Sequence, residues 1–476
     1  MKMIINGKPA DSVSGMTREI YSPADGAILD TVPVASEEDL ELAFEAAREG
    51  QKKWAKVPVY KRAEILMRFL ELVERDKEEL IQTLSADNGK PITQARQEIS
   101  NISTAFRAFA EKAKHYYGTI IPPGIEPGHE QNLQLVTKEP VGIVLCIIPF
   151  NFPSNLFCQK VAPALMMGNA ALVLPPSGNP LTNLKMTQLL VEAGVTDGAI
   201  QCVTAPGPLK QKAVADPRTA FVTITGSTET GLKIAETAAK NLTPYALELG
   251  GNDPFIVLDD GDLDLAVSEI VAGRMINSGQ VCSASKRFLI HDSLVEEFTE
   301  KAVRLIADLK VGLPSCEDTQ VTCLINEDAA REVEKQVNLT VSQGAEIALG
   351  GKRNGAFYEP TVLVNVPSSA DIAQDMEVFG PVVPILSFHT DDEAVEMANR
   401  SVFGLSSCIF TADSKRAHRM AASLEAGSVI INGSTFLRSF EMPFGGWKQS
   451  GVGTEGVMST FEEMTRTKVL AFKNLL

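Results

Sequence analysis

The sequence has no apolar segment long enough to cross a bilayer as a helix. Its most apolar stretch, residues 141–153, is interrupted by Pro149 and is shorter than the roughly 20 residues that a spanning helix needs. The N-terminal residues also lack the apolar core and cleavage site of a secretory signal peptide. We therefore expect a cytoplasmic protein without a membrane partner.

Cysteine and histidine are sparse, with seven cysteines and five histidines among 476 residues. An odd number of cysteines without paired spacing argues against a disulfide framework. Neither residue type shows the spacing of zinc ligands. We expect neither disulfides nor a bound metal.

Basic residues are outnumbered, with 44 Lys and Arg against 60 Asp and Glu, which gives a net charge of −16. This balance favours solubility and opposes binding to nucleic acid or to an anionic membrane. Apolar residues make up 44% and charged residues 22%, the composition of a globular protein with large cores. The length predicts two or three packed units.

From residue 141 onward, short apolar runs alternate with helical segments. Their length and β-branched content are typical of buried parallel strands. The predicted strands are 141–147, 171–174, 200–204, 220–224 and 254–258. This alternation predicts an α/β protein with a doubly wound parallel sheet. A further α/β pattern from 262 to about 429 indicates a second domain.

Two helices and one terminal strand are also predicted. Ser36 has the chemistry of an N-cap, and an apolar stripe at helical spacing follows it. A second amphipathic helix is predicted from about residue 61 to 84. The tail, 465–472, alternates Thr and Lys with apolar residues, as an edge or intersubunit strand does.

Two glycine-rich segments are candidates for a phosphate-binding turn. Residues 451–456 fit G-x-G-x-x-G, but no apolar strand precedes them, so we interpret them as a loop. Residues 226–231 directly follow a predicted strand. Small residues at such a junction let backbone N–H groups and a helix dipole contact a pyrophosphate. The second segment is the better candidate.

Five segments identify a family. They are Pro149-Phe150-Asn151-Phe152-Pro153, Glu248-Leu249-Gly250-Gly251, Gly279-Gln280-Val281-Cys282, Glu377-Val378-Phe379-Gly380-Pro381 and Pro443-Phe444-Gly445-Gly446-Trp447-Lys448-Gln449-Ser450-Gly451. In order and spacing they resemble the aldehyde dehydrogenase superfamily, and the resemblance covers nearly the whole chain. It implies NAD(P)-dependent oxidation of an aldehyde to a carboxylic acid.

The resemblance also implies a domain arrangement. A Rossmann-like cofactor domain is expected at 1–116 and 139–249, and a catalytic domain at 250–440. A small β element at 117–138 and 458–476 is expected to build a homodimer or homotetramer, with the active site between the two large domains.

Three residues match the family's catalytic groups. Cys282 supplies the thiolate that adds to the aldehyde, although a lone cysteine is more often an inert buried side chain. Asn151, with the backbone N–H of Cys282, stabilises the resulting oxyanion. Glu248 is the base that activates water to cleave the thioester. Lys160 and Glu455 match an ionic relay beside this base.

Other residues match the family's cofactor-binding positions. The expected contacts are Phe150, the turn residues Gly226, Ser227 and Gly231, Leu249 near the nicotinamide, Glu377 on the nicotinamide ribose, and Phe379 beside it.

The sequence departs from the family where the adenosine ribose binds. Most members carry Lys-Pro-Ser/Ala-Glu after the second strand, and this chain has Pro175-Pro176-Ser177-Gly178. The lysine that grips the ribose and the glutamate that repels a 2′-phosphate are both missing. The choice between NAD and NADP stays open.

A second departure concerns the substrate. Succinic-semialdehyde and lactaldehyde members usually place an arginine where this chain has Gln159, and the former often have another at Ile276. A guanidinium is the natural grip for a carboxylate. A neutral or hydrophobic aldehyde is therefore favoured, with Arg438 as an alternative grip. Phe444 matches an aromatic residue at the entrance of the family's substrate site. A buried position of Phe444 in the core is an equally good interpretation.

Two rival functions remain at this stage. The missing cofactor residues suit a member that has lost efficient catalysis and acts as a binding or structural protein. A CoA-acylating dehydrogenase is the second rival, although such enzymes typically lack the carboxylate that Glu248 supplies.

We predict that Cys282→Ala abolishes both aldehyde oxidation and ester cleavage, because both reactions need the same thiolate. Cys316→Ala is the matched control and should retain both activities. The rates are measured with an aldehyde plus NAD(P) and with a chromogenic ester. Residual activity of Cys282→Ala at the wild-type level would exclude the assignment.

Overall fold

The computed structural model describes residues 1–475, and Leu476 at the end of the expected element 458–476 lies outside them. The strands of the first half are β1 (Met3–Ile5), β2 (Lys8–Ala10), β3 (Thr17–Tyr21), β4 (Ile28–Pro33), β5 (Thr119–Ile121), β6 (Leu133–Pro140), β7 (Ile143–Ile147), β8 (Ala170–Leu174), β9 (Ile200–Cys202), β10 (Thr219–Thr225) and β11 (Tyr245–Glu248). The helices are α1 (Glu37–Trp54), α2 (Val59–Arg75), α3 (Lys77–Asn88), α4 (Ile92–Ala113), α5 (Pro153–Met166), α6 (Leu181–Glu192), α7 (Gly207–Ala215) and α8 (Thr228–Ala239).

The second half continues the alternation of strands and helices. Its strands are β12 (Asp253–Val257), β13 (Ser285–His291), β14 (Glu346–Leu349), β15 (Arg353–Asn354), β16 (Phe357–Tyr358), β17 (Thr361–Val364), β18 (Val382–Phe388), β19 (Phe403–Gly404), β20 (Ser406–Phe410), β21 (Ser428–Ile431), β22 (Trp447–Lys448), β23 (Gly451–Val452) and β24 (Thr465–Phe472). Its helices are α9 (Leu263–Ile270), α10 (Val295–Ala307), α11 (Glu327–Ser342), α12 (Asp391–Asn399), α13 (Ser414–Ser423) and α14 (Val457–Glu463).

The first large sheet has the strand order β2-β1-β9-β8-β7-β10-β11-β23. Its five central strands, from β9 to β11, run parallel. The chain order reverses between β7 and β10, and open α/β sheets bind ligands at such a switch point, beyond the carboxyl ends of the strands. The predicted doubly wound sheet is confirmed, and the loops after β7 and β10 become the candidate ligand site.

The second large sheet has the order β14-β17-β18-β13-β12-β20-β21 and is parallel except for β14. Its core contains a stack of aromatic rings: Phe255 lies 4.8 Å from Phe288 and 4.6 Å from Phe410, centroid to centroid. All three side chains are fully buried. The α/β pattern predicted from residue 262 therefore forms a sheet of its own.

The C-terminal strand β24 belongs to a third, smaller sheet with the order β24-β6-β5. All eight residues of β24 pair with β6, so the strand predicted at 465–472 is present at a sheet edge. Val469, Leu470 and Phe472 are exposed on it. Exposed apolar residues on an edge strand are typical of an interaction surface.

Of three local predictions, the helix start at Ser36 is confirmed and two others need correction. Ser36 caps α1, accepting from Asp39 N at 3.2 Å while Asp39 accepts from Ser36 N at 2.7 Å. The single helix predicted over 61–84 is wrong, because the structure has α2 and α3 on either side of Asp76, whose φ of −102° and ψ of 16° break the helix. The loop predicted at 451–456 is partly wrong, because β23 pairs antiparallel with β11.

Within residues 1–475, no helix combines the length and the apolar content that crossing a membrane requires.

We predict that Phe255→Ala destabilises the protein by about 3–5 kcal/mol, because it removes a fully buried ring from the stack in the second sheet. Tyr60→Ala removes an exposed ring and should shift the unfolding midpoint little. Urea unfolding followed by fluorescence measures both. Equal midpoints for the two variants would contradict this description of the core.

Candidate active site

The loop at 149–153 follows β7 at the switch point and is held by buried side chains. Lys90 Nζ donates to the backbone carbonyl of Asn151 at 2.8 Å, and Asn277 Nδ2 donates to the same oxygen at 3.0 Å. The side chain of Asn151 in turn donates to the backbone carbonyl of Gln280 at 3.0 Å. The amide of Asn151 is therefore fixed against the segment that precedes Cys282.

That segment is a tight turn with unusual backbone geometry. Asn277, Ser278 and Gly279 have φ values of 52°, 54° and 77°, all in the left-handed region. A Cβ on Gly279 would lie 2.2 Å from the backbone oxygen of Gly380, so only glycine fits there. Non-glycine residues in this region store strain that the surrounding structure must offset, and such strain clusters at functional sites. The turn delivers Cys282 to the start of β13.

Cys282 and Asn151 face the same cavity, whose volume is about 370 Å³. Its walls combine aromatic and aliphatic side chains with amide, hydroxyl and guanidinium groups, a mixture that can both enclose and orient a small molecule. The lining residues are Asn101, Thr104, Asn151, Phe152, Asn155, Leu156, Gln159, Val281, Cys282, Ser283, Phe436, Arg438, Ser439 and Phe440. The volume suits a small organic molecule in contact with the sulfur.

Burial raises the pKa of the Cys282 thiol to about 11, and the charges of Glu248 and Asp253 act in the same direction. Lys286 and Arg438 partly oppose this shift. The thiol is therefore protonated near neutral pH. Since the thiolate is the nucleophile, a base is needed to remove the proton.

Glu248 ends β11 and has the properties of such a base. It is 3% exposed, and neither carboxylate oxygen has a hydrogen-bond partner. Burial, followed by repulsion from Glu455, raises its pKa well above the ordinary range of a glutamate. A carboxylate with a raised pKa is a stronger base, as proton abstraction at neutral pH requires.

Lys160 and Glu455, the predicted relay pair, form a buried ion pair, with Lys160 Nζ 2.6 Å from Glu455 Oε1. Arg438 binds the other carboxylate oxygen of Glu455 at 3.2 Å. Burial acts to raise the pKa of Glu455, but the charges of Lys160 and Arg438 outweigh it and hold this pKa below the ordinary value. Glu455 thus stays ionised beside Glu248, where its charge disfavours a second carboxylate.

The predicted pyrophosphate turn lies between β10 and α8. Ser227 is the N-cap of α8, its hydroxyl accepting from Thr230 N at 3.3 Å. A Cβ on Gly231 would lie 2.5 Å from the Leu249 side chain, so these two predicted cofactor residues are in contact.

Open space runs along the carboxyl edge of this sheet. Added Cβ atoms at Gly178 and Gly207 would meet nothing within 4 Å, and one at Gly226 would meet only the side chain of Ile224 at 3.6 Å. This open edge, called the crevice below, includes the position directly before Ser227, the N-cap of α8, and a helix N-terminus is a common binding place for a pyrophosphate.

Glu377 contacts the segment that carries Cys282 through Lys286. Lys286 Nζ lies 3.1 Å from Glu377 Oε1 and also donates to the backbone carbonyl of Cys282. A Cβ on Gly250 would lie 2.2 Å from Glu377 Oε2, so the carboxylate of Glu377 packs directly against the backbone of Gly250. Phe150 and Phe379 stack edge to face with centroids 5.9 Å apart.

Some contacts at the site were not predicted, and one of the two predicted substrate residues, Phe444, does not line the cavity. Lys90, Asn277 and Lys286 were missed; the only sequence signal was the position of Lys286 four residues after Cys282. Gln159 lines the cavity, as predicted for a substrate contact. Phe444 instead lies behind Arg438, whose guanidinium carbon is 3.9 Å from its ring centroid.

Comparisons with known proteins agree in covering the whole chain. A sequence profile of the Aldehyde dehydrogenase family matches residues 10–470. A mitochondrial succinate-semialdehyde dehydrogenase of Oryza sativa subsp. japonica is 37% identical over 476 residues, 99% of this chain and 89% of that protein.

Two solved structures have closely similar folds. An NADP-dependent enzyme of E. coli superposes with a TM-score of 0.96 at 32% identity, covering 99% of this chain and 98% of that one. Betaine aldehyde dehydrogenase of Staphylococcus aureus in complex with NAD+ gives a TM-score of 0.95 at 32% identity, covering 99% and 95%.

We predict that alkylation of Cys282 by iodoacetamide accelerates about tenfold per pH unit between pH 8 and 10, because only the thiolate reacts and its fraction rises up to the pKa. Glu248→Gln should lower the apparent pKa, because the charge of Glu248 is one of the causes that raise it. Mass spectrometry of the Cys282 peptide gives the rates, with the exposed Cys316 as internal reference. A pH-independent rate at Cys282, or slower alkylation in Glu248→Gln, would contradict this electrostatic account.

Proposed function

The chain belongs to the aldehyde dehydrogenase family and oxidises an aldehyde to a carboxylic acid with a nicotinamide cofactor, and from this premise we propose that Cys282, Asn151 and Glu248 carry the reaction. One observation carries the assignment: Cys282 and Asn151 line a single cavity, and Glu248 acts electrostatically on the same thiol.

The first step forms a bond between sulfur and carbon. Glu248 accepts the proton of the Cys282 thiol, and the thiolate adds to the aldehyde carbonyl. Negative charge develops on the former carbonyl oxygen, where the side-chain amide of Asn151 and the backbone N–H of Cys282 donate hydrogen bonds. Losing one such donor typically raises the barrier by roughly 3–4 kcal/mol.

When bound, the nicotinamide accepts the hydride that leaves the thiohemiacetal carbon. Loss of this hydride leaves a thioester on Cys282. Glu248 passes the thiol proton on to solvent and, ionised again, takes a proton from water, whose oxygen attacks the thioester carbon. The carbon–sulfur bond breaks, the acid leaves, and Glu248 returns its proton to the sulfur of Cys282.

Protons that Glu248 collects need a route out of the buried site. The ion pair of Lys160 with Glu455 lies beside Glu248, and Arg438 connects Glu455 to the cavity. We assign this pair to proton relay and Glu455 to keeping the pKa of Glu248 raised, an effect that the charge of Lys160 partly opposes.

The cofactor assignment rests on residues of both large sheets. The turn from Gly226 to Gly231, with Ser227, suits the pyrophosphate, and Leu249 and Phe150 suit the nicotinamide ring. Glu377 has the carboxylate to accept hydrogen bonds from the nicotinamide ribose, with Phe379 against it. NAD and NADP are both compatible with these contacts.

The substrate class follows from the cavity walls. Arg438 is the only charged side chain that lines the cavity within residues 1–475, and Glu455 already offsets its charge. Because the charge of Arg438 is already balanced, the cavity suits a neutral or hydrophobic aldehyde. The absence of arginines at Gln159 and Ile276 favours the same class. The name of the rice relative supports a second substrate class, a semialdehyde whose carboxylate competes with Glu455 for Arg438.

We also propose a cytoplasmic location and a homodimer or homotetramer. The exposed apolar residues of β24 support association through the small sheet. The domain limits 1–116 with 139–249, and 250–440, are proposed as the cofactor and catalytic units.

We predict that Glu248→Gln gives a burst of reduced cofactor close to one equivalent per active site, slower than in wild type because the Cys282 thiol loses its proton acceptor. Still slower turnover should follow, because thioester hydrolysis loses its base. Glu236→Gln replaces an exposed glutamate and should turn over like wild type. Stopped-flow absorbance at 340 nm, a wavelength specific to reduced nicotinamide, follows the burst.

Three outcomes would contradict the proposal. Steady turnover of Glu248→Gln at the wild-type rate would remove the base assignment. An absolute requirement for CoA would establish an acylating enzyme. Ester cleavage without measurable binding of either nucleotide would favour a binding or structural protein.

A further inference from the structure

The segment 175–178 after β8 lacks the lysine and glutamate that the family usually has there, but a different lysine lies beside it. Lys210 lies in the first turn of α7, and its Nζ donates to the backbone carbonyl of Pro175 at 2.8 Å. Pro175 directly follows β8, where the family's ribose-binding lysine usually stands. An ammonium group therefore reaches this position from a different helix.

A second cation lies close to the first. Arg18 on β3 has a buried Nε without a hydrogen-bond partner. Burial and the charge of Arg18 lower the pKa of Lys210 to about 8. Within residues 1–475, neither side chain has a carboxylate within ion-pair distance, whereas Lys212 on the same helix pairs with Glu37. Lys210 and Arg18 are thus two half-buried cations that lie near each other without a carboxylate to balance their charge.

The segment 175–178 is partly open to solvent and carries no acid. Ser177 and Gly178 are exposed, and a Cβ on Gly178 would meet nothing within 4 Å. An anion stabilises cations that are partly buried and have no counter-charge, because its hydrogen bonds replace those that the cations lost with their hydration water. A neutral ribose hydroxyl would leave most of this charge uncompensated.

We propose that Lys210, supported by Arg18, binds the 2′-phosphate of NADP and makes this enzyme prefer NADP over NAD. The inference rests on the proposed function only in taking the crevice at β8 as the adenosine end of the cofactor site. It assigns the preference to two residues outside the segment 175–178, which normally decides it.

The test uses cofactor fragments that lack nicotinamide, so that it does not depend on the reaction. Isothermal titration calorimetry on the full-length protein measures Kd for 2′,5′-ADP and for 5′-ADP. Wild type should bind 2′,5′-ADP at least about tenfold more tightly, the effect of one charge-assisted hydrogen bond. Lys210→Met should remove this preference, and Lys212→Met, the matched control, should retain it.

A second variant tests the same site in case Lys210→Met does not fold. Because Gly178 is exposed and open, Gly178→Glu introduces the missing carboxylate without a clash, and it should weaken 2′,5′-ADP about tenfold or more while changing 5′-ADP little. Gly178→Gln has nearly the same size without the charge and should keep the preference.

Three results would overturn the inference: equal affinity of wild type for both fragments, no measurable binding of 2′,5′-ADP at millimolar concentration, or equal weakening of both fragments by Lys210→Met. Ester cleavage by wild type reports on Cys282 without a nucleotide. A fragment preference without any aldehyde oxidation would therefore support this site while contradicting the proposed function.

Discussion

The site depends on two hydrogen bonds that cross between the two large sheets. The side chain of Asn151, after β7, donates to the backbone of Gln280, and the side chain of Asn277, before β13, donates back to the backbone of Asn151. Each sheet supplies one donor and one acceptor. The reciprocal pair fixes an amide against the segment carrying the cysteine, and neither sheet could hold that geometry alone.

Two buried ion pairs lie close to these contacts. Lys90 and Glu98 form an ion pair behind the Asn151 loop, and Glu98 also accepts from the backbone N–H groups of Ser154 and Asn155 at the start of α5. Lys160 and Glu455 form the second buried pair. Buried pairs contribute little net stability, since desolvation offsets their attraction, so positioning and electrostatics are the better explanation for them. The first pair holds the loop at 149–153, and the second sets the charge around Glu248.

Periodicity and capping chemistry predicted the main elements because those signals are local. Ser36 with Asp39 marks a helix start, and uninterrupted apolar runs mark buried strands. The break at Asp76 was not predictable, because the apolar stripe continues from α2 into α3. Of the residues in the family motifs, Asn151, Phe152, Val281 and Cys282 line the cavity. The contacts of Lys90 and Asn277 with Asn151, and of Lys286 with Glu377, escaped prediction because they join segments far apart in sequence. Lys210 was missed for the same reason, since it reaches β8 from α7.

The most direct measurement is a crystal structure of Glu248→Gln trapped with its aldehyde as an acyl-enzyme. The account predicts a bond between Cys282 Sγ and the acyl carbon, with the acyl oxygen about 3 Å from both Asn151 Nδ2 and the backbone nitrogen of Cys282. An acyl group on another cysteine, or an acyl oxygen directed away from Asn151, would contradict it.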